Sequence, residues 1–346
     1  DIIVVKLGED NFFSTARLME GVDFALKFAM ENNRPIAINI SIGNNYGAHD
    51  GTSLFETSID YVTEIWKNNV IVGAGNEADK RIHTMVKLND RRKMCEFIVG
   101  NYEESIAIQI WKRYWDDFYI EIENPSGERY VVPKGEGIYE FKSTDELIYV
   151  YVGTATPYSY NSEILIQIIP DNVYVKNGIW QIMFYPDSIK DGKIDLWISG
   201  RTMLTGQTGF TSAVPETTLT IPSTSYRVIT VGAYNGRTFS YAPFSGRGNT
   251  KNLVTVKPDI SAPGVDISAP YPGGGYRLAS GTSVAAPFVT GATAILMEWG
   301  IVKGNDFFMY GERLKAKLIK DSIQNNGQNI WPNRLLGWGL LCLKII

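Results

Sequence analysis

The chain has 346 residues, 44% of them hydrophobic and 20% charged, with a formal net charge of -4. That length holds one large domain or two modest ones with a sizeable core, and the charge gives no electrostatic reason to expect nucleic acid or an anionic membrane as partner. The two cysteines, Cys95 and Cys342, lie far apart and do not make a disulfide scaffold or a Cys/His metal pattern, and no run of about 18 apolar residues is expected to span a membrane.

Residues 2–7, IIVVKL, are β-branched and mostly apolar, as a strand buried on both faces should be. A chain that opens inside such a strand, without Met or leader, reads as a piece of a longer polypeptide. In NFFSTARLMEGVDFALKFAMENN, Leu18, Val22, Ala25, Leu26 and Ala29 recur at helical spacing behind a cap at Asn11 or Ser14. IAINISIG, residues 36–43, is the second predicted strand. Ser53 caps a helix with Leu54, Ile59, Val62 and Trp66 on its apolar side, and NVIVGAG, residues 69–75, is the third strand. Strands alternating with helices predict right-handed crossovers and a parallel sheet with helices on both faces.

From about 94 to 198 helical periodicity vanishes. Short strands from EFIVGN to KIDLWIS recur, separated by turn chemistry such as NPSGE, VKNG and KDGK. This predicts an all-β, jelly-roll-like domain inserted into the α/β fold. The expected boundaries are 1–90 for the first part of the core, 91–204 for the insert and 205–346 for the second part. Trp111, Trp115, Trp180 and Trp197 are read as insert core rather than a sugar-binding face. Asp116, Asp117 and Asp171 do not have EF-hand spacing and are read as solvated loop residues. His49 and His83 are read as loop or surface histidines.

The α/β character returns with TLTIPSTSYRVITVGAYNG and KPDISAPG, a glycine hairpin in YPGGGYR, a helix over 283–299, and a last helix in GERLKAKLIKDSIQ. A lone serine before a helix is most often a cap. Around Ser283, however, Gly281, Ala285 and Ala286 keep the approach uncrowded, and Pro287 sits where a missing N–H costs little. The unpaired N–H groups and the dipole of a first helical turn suit a developing oxyanion.

SGTSVAAPFVTGATAIL resembles the nucleophile segment, G-T-S-x-A-x-P, of subtilisin-like serine proteases, the subtilases. INISIG (38–43) resembles their substrate-pairing strand, and VGAGNE (72–77) the segment with the oxyanion-hole asparagine. VITVGAYN, FSGRG and KPDISAPG resemble the run leading to the nucleophile. The order is that of the family, over about 1–90 and 217–346. The resemblance implies a doubly wound subtilase sheet with Ser283 as nucleophile and an oxyanion hole from its own N–H and the Asn76 side chain. It further implies main-chain pairing of a peptide with Ser41, Ile42 and Gly43, and a specificity pocket walled by Gly73, Ala74 and Gly75, where glycine leaves room for a side chain. No cofactor or metal is implied.

The family's Asp and H-G-T-H histidine are not found. Both are expected in polypeptide upstream of Asp1, so this fragment alone is not expected to be active. His49 is a poor substitute base, with no carboxylate indicated to orient it. VIVGAGNEA also fits a dinucleotide fingerprint, but it lies on the third strand with no convincing helix behind it. Among subtilases, NNYGAHDGTS and VGAGNEADKRIH resemble the Csp-type germination proteases of clostridial spores. That implies a bacterial spore or otherwise extracytoplasmic location, an N-terminal prodomain as partner, and a cortex-lytic zymogen as protein substrate. The alternative is a catalytically silent subtilase-fold protein whose cleft or insert docks a partner.

Overall fold

The structure, a computed structural model, describes residues 1–8, 14–157, 159–200, 204–249, 256–324, 327 and 330–344. The chain forms two compact units, one of Asp1–Asn44, His49–Ala78 and Glu216–Ile346, the other of Asn45–Ala48 and Asp79–Pro215.

Helix α1, Thr15–Glu31, starts where Ser14 Oγ accepts the N–H of Arg17, and it buries Leu18, Val22, Ala25, Leu26 and Ala29 as its spacing predicts. Asn11, the other candidate cap, lies outside the described residues. Strand β1 is Ile36–Ile40, α2 is Leu54–Val62 and β2 is Asn68–Gly73. A capping box between Ser53 and Glu56 opens α2. The helix ends earlier than its pattern suggests: Leu54 is exposed and Trp66 lies beyond it at φ 92°. Residues 2–7 form no strand; Ile2 is 92% and Val4 88% exposed. Apolar β-branched residues favour extended backbone, but a strand needs an edge to pair with. None of the described strands pairs with this arm, whose Leu7 and Val5 lie over Gly21 of α1.

The second unit holds β3 (His83–Lys87), β4 (Lys93–Val99), β5 (Ile106–Arg113), β6 (Asp117–Glu123), β7 (Arg129–Val131), β8 (Gly137–Lys142), β9 (Glu146–Val152), β10 (Asn161–Pro170), β11 (Gly178–Ser188), β12 (Lys193–Gly200) and β13 (Gly209–Phe210). Two sheets, ordered β3-β12-β5-β10-β9-β8 and β13-β4-β11-β6-β7, share one core. Alternate residues face it: Ile106, Ile108 and Ile110 from β5, Phe118, Ile120 and Ile122 from β6, Trp180, Ile182 and Phe184 from β11. Trp197 is buried there too, and Trp111 packs against it, whereas Trp115 stands beside Tyr114 and Tyr160. The expected limits of 91–204 were too narrow. Strand β3 pairs with β12, and β13 pairs with β4, which draws both flanks into this unit.

Asp116 is not a solvated loop residue. It is fully buried and accepts the N–H groups of Lys190, Asp191 and Gly192, closing the β11–β12 turn. Glu128 gathers Ser143, Tyr130, Asn124 and Thr144 as donors, and these hydrogen bonds, Ser143 first, hold its carboxyl down at about 2.

The chain returns to the first unit with β14 (Ile229–Tyr234), β15 (Ile260–Pro263), the hairpin β16 (Ile267–Pro270) and β17 (Tyr276–Ala279), α3 (Thr282–Met297) and α4 (Gly311–Asp321). The order β1-β2-β14-β15 is parallel throughout. Strand β2 is buried along its length because it faces two cores. Val70 and Val72 meet α1 and α2, and Ile71 meets Ala285, Ala286 and Val289 of α3. The hairpin turns through Gly273, Gly274 and Gly275, all at positive φ. Thr282–Val302, α3 with a terminal π turn, is long and apolar enough by length and composition alone to cross a membrane, although no unbroken apolar run marks it in the sequence. Half of that stretch is buried inside the unit.

The segment 244–248 fastens two distant chain ends. Ala78 N donates to Phe244 O at 3.1 Å, Thr218 N to Arg247 O at 3.0 Å, and Gly246 N to Gly75 O at 2.9 Å. Below β14 lies a buried ionic knot. Asp259 receives Lys257 Nζ at 2.7 Å, Lys315 Nζ at 2.8 Å and the Thr230 N–H at 2.7 Å. Burial pushes the Lys257 ammonium down to about 8; burial alone would raise Asp259, but the two lysines outweigh it and hold the carboxyl low.

Asp259→Asn leaves the buried Lys257 ammonium and the partly buried Lys315 without their counter-charge, and it is expected to cost about 3–5 kcal/mol, read from urea unfolding. Glu128 titrates lower in the folded state than its ordinary value of 4.5. Its contribution is therefore complete above that value and fades as pH falls through about 2. Glu128→Gln should flatten that part of the acid-unfolding curve, followed by tryptophan fluorescence.

Candidate active site

In β1 and β2, Ile40 stands opposite Val72, so residues 41–43 and 74–76 leave the sheet at the same, carboxyl end. Ligands of open α/β sheets bind outside that end. Helix α3 begins there as well: Gly75 N donates to Thr282 Oγ1 at 3.1 Å. Thr282 N donates to Asn76 Oδ1 at 2.8 Å, and Thr282 Oγ1 donates to the same oxygen at 3.1 Å. A backbone N–H requires an acceptor, which fixes the orientation of the Asn76 amide. Its Nδ2 is turned away from Thr282 and makes no hydrogen bond among the described residues.

Ser283 is the second residue of α3, and Gly281, at φ 153°, is the N-cap. Its hydroxyl is therefore not a cap. Ser283 Oγ instead donates to Ser41 O at 3.3 Å, and Ser41 Oγ donates back to Ser283 O at 3.0 Å. Pro287 explains the second bond. In an unbroken helix its N–H would take the Ser283 carbonyl; proline has none, and Ser41 supplies the donor from just beyond β1. Asn39 Nδ2 donates to Ser41 Oγ at 2.9 Å, and Thr290 Oγ1 lies 3.0 Å from Asn39 Oδ1, so β1 and α3 are laced twice around the serine. The N–H of Ser283 lies in the first turn, where helical partners are lacking.

Ile42 and Gly43 make no backbone hydrogen bond among the described residues, which leaves an edge that an extended peptide can join. The glycines of 73–75 serve another purpose than expected. A Cβ at Gly73 would meet Thr282, with Oγ1 at 3.0 Å, and one at Gly75 would lie 2.7 Å from Thr220 Cγ2 and 3.0 Å from Glu77 Oε2. Their room is taken by neighbouring threonines, not left open. Ala74 is buried, and its carbonyl is used by Thr220 N at 3.1 Å.

Both histidines are buried, contrary to expectation, at 6% and 1% exposure. His49 Nδ1 lies 2.6 Å from Leu219 O. His83, in β3, stacks on Trp197 and sits between Val214 O and Asp195 Oδ1. Neither is hydrogen-bonded to Ser283 among the described residues. The dinucleotide fingerprint fails because residues after Gly75 turn into β3 rather than a helix. Asn39 and Thr282 went unread as site residues. A lone asparagine in the apolar strand IAINI was the signal for the first; nothing in the sequence alone pairs Thr282 with Asn76.

A family model described as the subtilase family matches residues 205–339. The solved structure of the Clostridium perfringens CspB protease superposes with a TM-score of 0.89 at 34% identity, covering 96% of this chain and 69% of that one. The chain belongs to the subtilase family. Among curated relatives, this subtilase is 37% identical over 86 residues to the PII-type proteinase of Lactococcus lactis subsp. cremoris, and 64% identical over 39 residues to the subtilisin-like serine protease Pen ch 13 of Penicillium rubens. Those matches cover 25% and 11% of this chain, and only 4% and 10% of the relatives' own lengths.

Ser41→Ala strips the Ser283 carbonyl of its donor. It is expected to cost about 1 kcal/mol of stability, read from urea unfolding, whereas Ser41→Thr, which keeps the hydroxyl, should retain the wild-type midpoint.

Proposed function

We propose that this subtilase is a serine endopeptidase whose nucleophile is Ser283. The reading is carried by one observation, the bond at 2.8 Å that joins Asn76 to Thr282, the residue before the serine, across 206 positions of sequence. Ser283 Oγ attacks the scissile carbonyl as its proton passes to a base. The oxyanion takes hydrogen bonds from Ser283 N–H and Asn76 Nδ2. Collapse breaks the C–N bond, the amine leaves with the proton, and water hydrolyses the acyl-enzyme. A peptide lies along Ser41, Ile42 and Gly43.

We assign the base, a histidine with its aspartate, to polypeptide upstream of Asp1. A groove of about 930 Å³ supports this reading: it is lined by the arm 1–7, by α1, and by Ser41, Ile42, Pro287 and Thr290 close to Ser283. Likeness to the CspB protease, through both units, favours a Csp-type role. On that reading the second unit is a jelly-roll-like insert, a prodomain precedes the mature chain, the substrate is a cortex-lytic zymogen, and the protein resides in the bacterial spore.

A fluorophosphonate probe should label the full-length protein at Ser283, and Ser283→Ala should abolish labelling and zymogen cleavage together. Asn76→Ala should lower turnover by about 10²–10³, the loss known for one such donor in a subtilisin. Cleavage undiminished in Ser283→Ala would overturn the assignment, and absence of labelling in the wild type would favour the silent docking protein.

A further inference from the structure

We infer that Thr220 closes the pocket beside Ser283 and makes this subtilase select a small residue, Gly, Ala or Ser, on the acyl side of the cut. The inference rests on the serine-protease reading above. Beyond the sheet the ends of β1 and β2 separate, and residues 218–221 run between them. Thr220 N donates to Ala74 O at 3.1 Å on one side; on the other, Ile221 N donates to Asn44 O at 2.8 Å and Asn44 N to Ile221 O at 3.1 Å. The Thr220 side chain is thereby set between Gly43 and Gly75. A Cβ placed at Gly43 would stand 2.5 Å from Thr220 Oγ1 and 2.9 Å from Thr220 Cβ. One at Gly75 would stand 2.7 Å from Thr220 Cγ2. Both glycines therefore make way for Thr220 itself.

Thr220 cannot retreat cheaply. It is 4% exposed, and its carbonyl receives Ser223 N at 2.7 Å and Ser223 Oγ at 2.5 Å. The loop behind it is tied to α2, where Asp60 Oδ1 accepts Ser225 Oγ at 2.5 Å and Arg227 N at 2.8 Å, and Glu56 accepts Thr224 Oγ1. A substrate side chain entering between the two glycine walls reaches a threonine whose backbone is held on both sides, and packing interiors yield little to added bulk.

The test uses the full-length protein and three probes: a fluorophosphonate with no side chain, and two peptidyl phosphonates identical except for an Ala or a Phe side chain at the phosphonate. The wild type is expected to react with the Ala probe at least about tenfold faster than with the Phe probe, the scale on which pockets sort small from large side chains. Thr220→Gly should erase or reverse that ratio in a protein that the fluorophosphonate still labels. Thr220→Val, of the same shape without the hydroxyl, should keep it. If Thr220→Gly fails to fold, shown by loss of fluorophosphonate labelling, Thr220→Ser should still give an intermediate ratio, and an unchanged ratio there overturns the inference. Equal rates of the two peptidyl probes in a wild type that the fluorophosphonate labels would also overturn it while sparing the protease reading. No fluorophosphonate labelling at all would overturn both.

Discussion

The contact on which the site depends is a single backbone bond, Thr282 N–H to Asn76 Oδ1. Its net worth is on the order of 1 kcal/mol, but its consequence is geometric. It couples the end of β2 to the start of α3, and it decides which way the Asn76 amide faces. With the oxygen consumed, the NH₂ group is the end left without a hydrogen bond among the described residues, as the proposed oxyanion site requires. The parallel sheet makes this possible, since β1, β2 and α3 bring 41–43, 74–76 and 281–283 to one edge. Electrostatic preorganisation here is largely a matter of topology.

The start of α3 gives up stability for that arrangement. A Ser, Asp or Asn at position 281 would cap the helix, yet the residue is Gly281 and no side chain caps it. A Cβ at that position would lie 3.3 Å from Asn76 Nδ2, and the φ of 153° suits glycine. Pro287 removes another helical bond, which Ser41 replaces from a different element. Departures from good helix chemistry at functional positions are what locally consistent sequences lead one to expect.

Local pattern was readable and non-local partnership was not. The spacing of Leu18, Val22, Ala25 and Leu26 gave α1 its buried face correctly, and Ser53 marked the start of α2, because caps and amphipathic spacing are decided within a few residues. The arm 2–7 had the composition of a strand, but pairing requires an edge that composition cannot supply. The short β3 carried no flanking signal, so its membership of the second unit emerged only from its pairing with β12. For the site, GTS and GN were legible as motifs. That the glycines of 43 and 75 face Thr220, well over a hundred residues away, was not, and the room expected at Gly75 is taken by that threonine.

The fastening of Ala78 and Thr218 to the short stretch 244–248 has a consequence for the path of the chain. The path of the first unit closes on itself at the point where more than a hundred residues of the second, Asp79–Pro215, leave and return. Both stumps of that excursion are held by one short splint of the first unit, so the spacing between Ala78 and Thr218 is set by that unit's own backbone bonds.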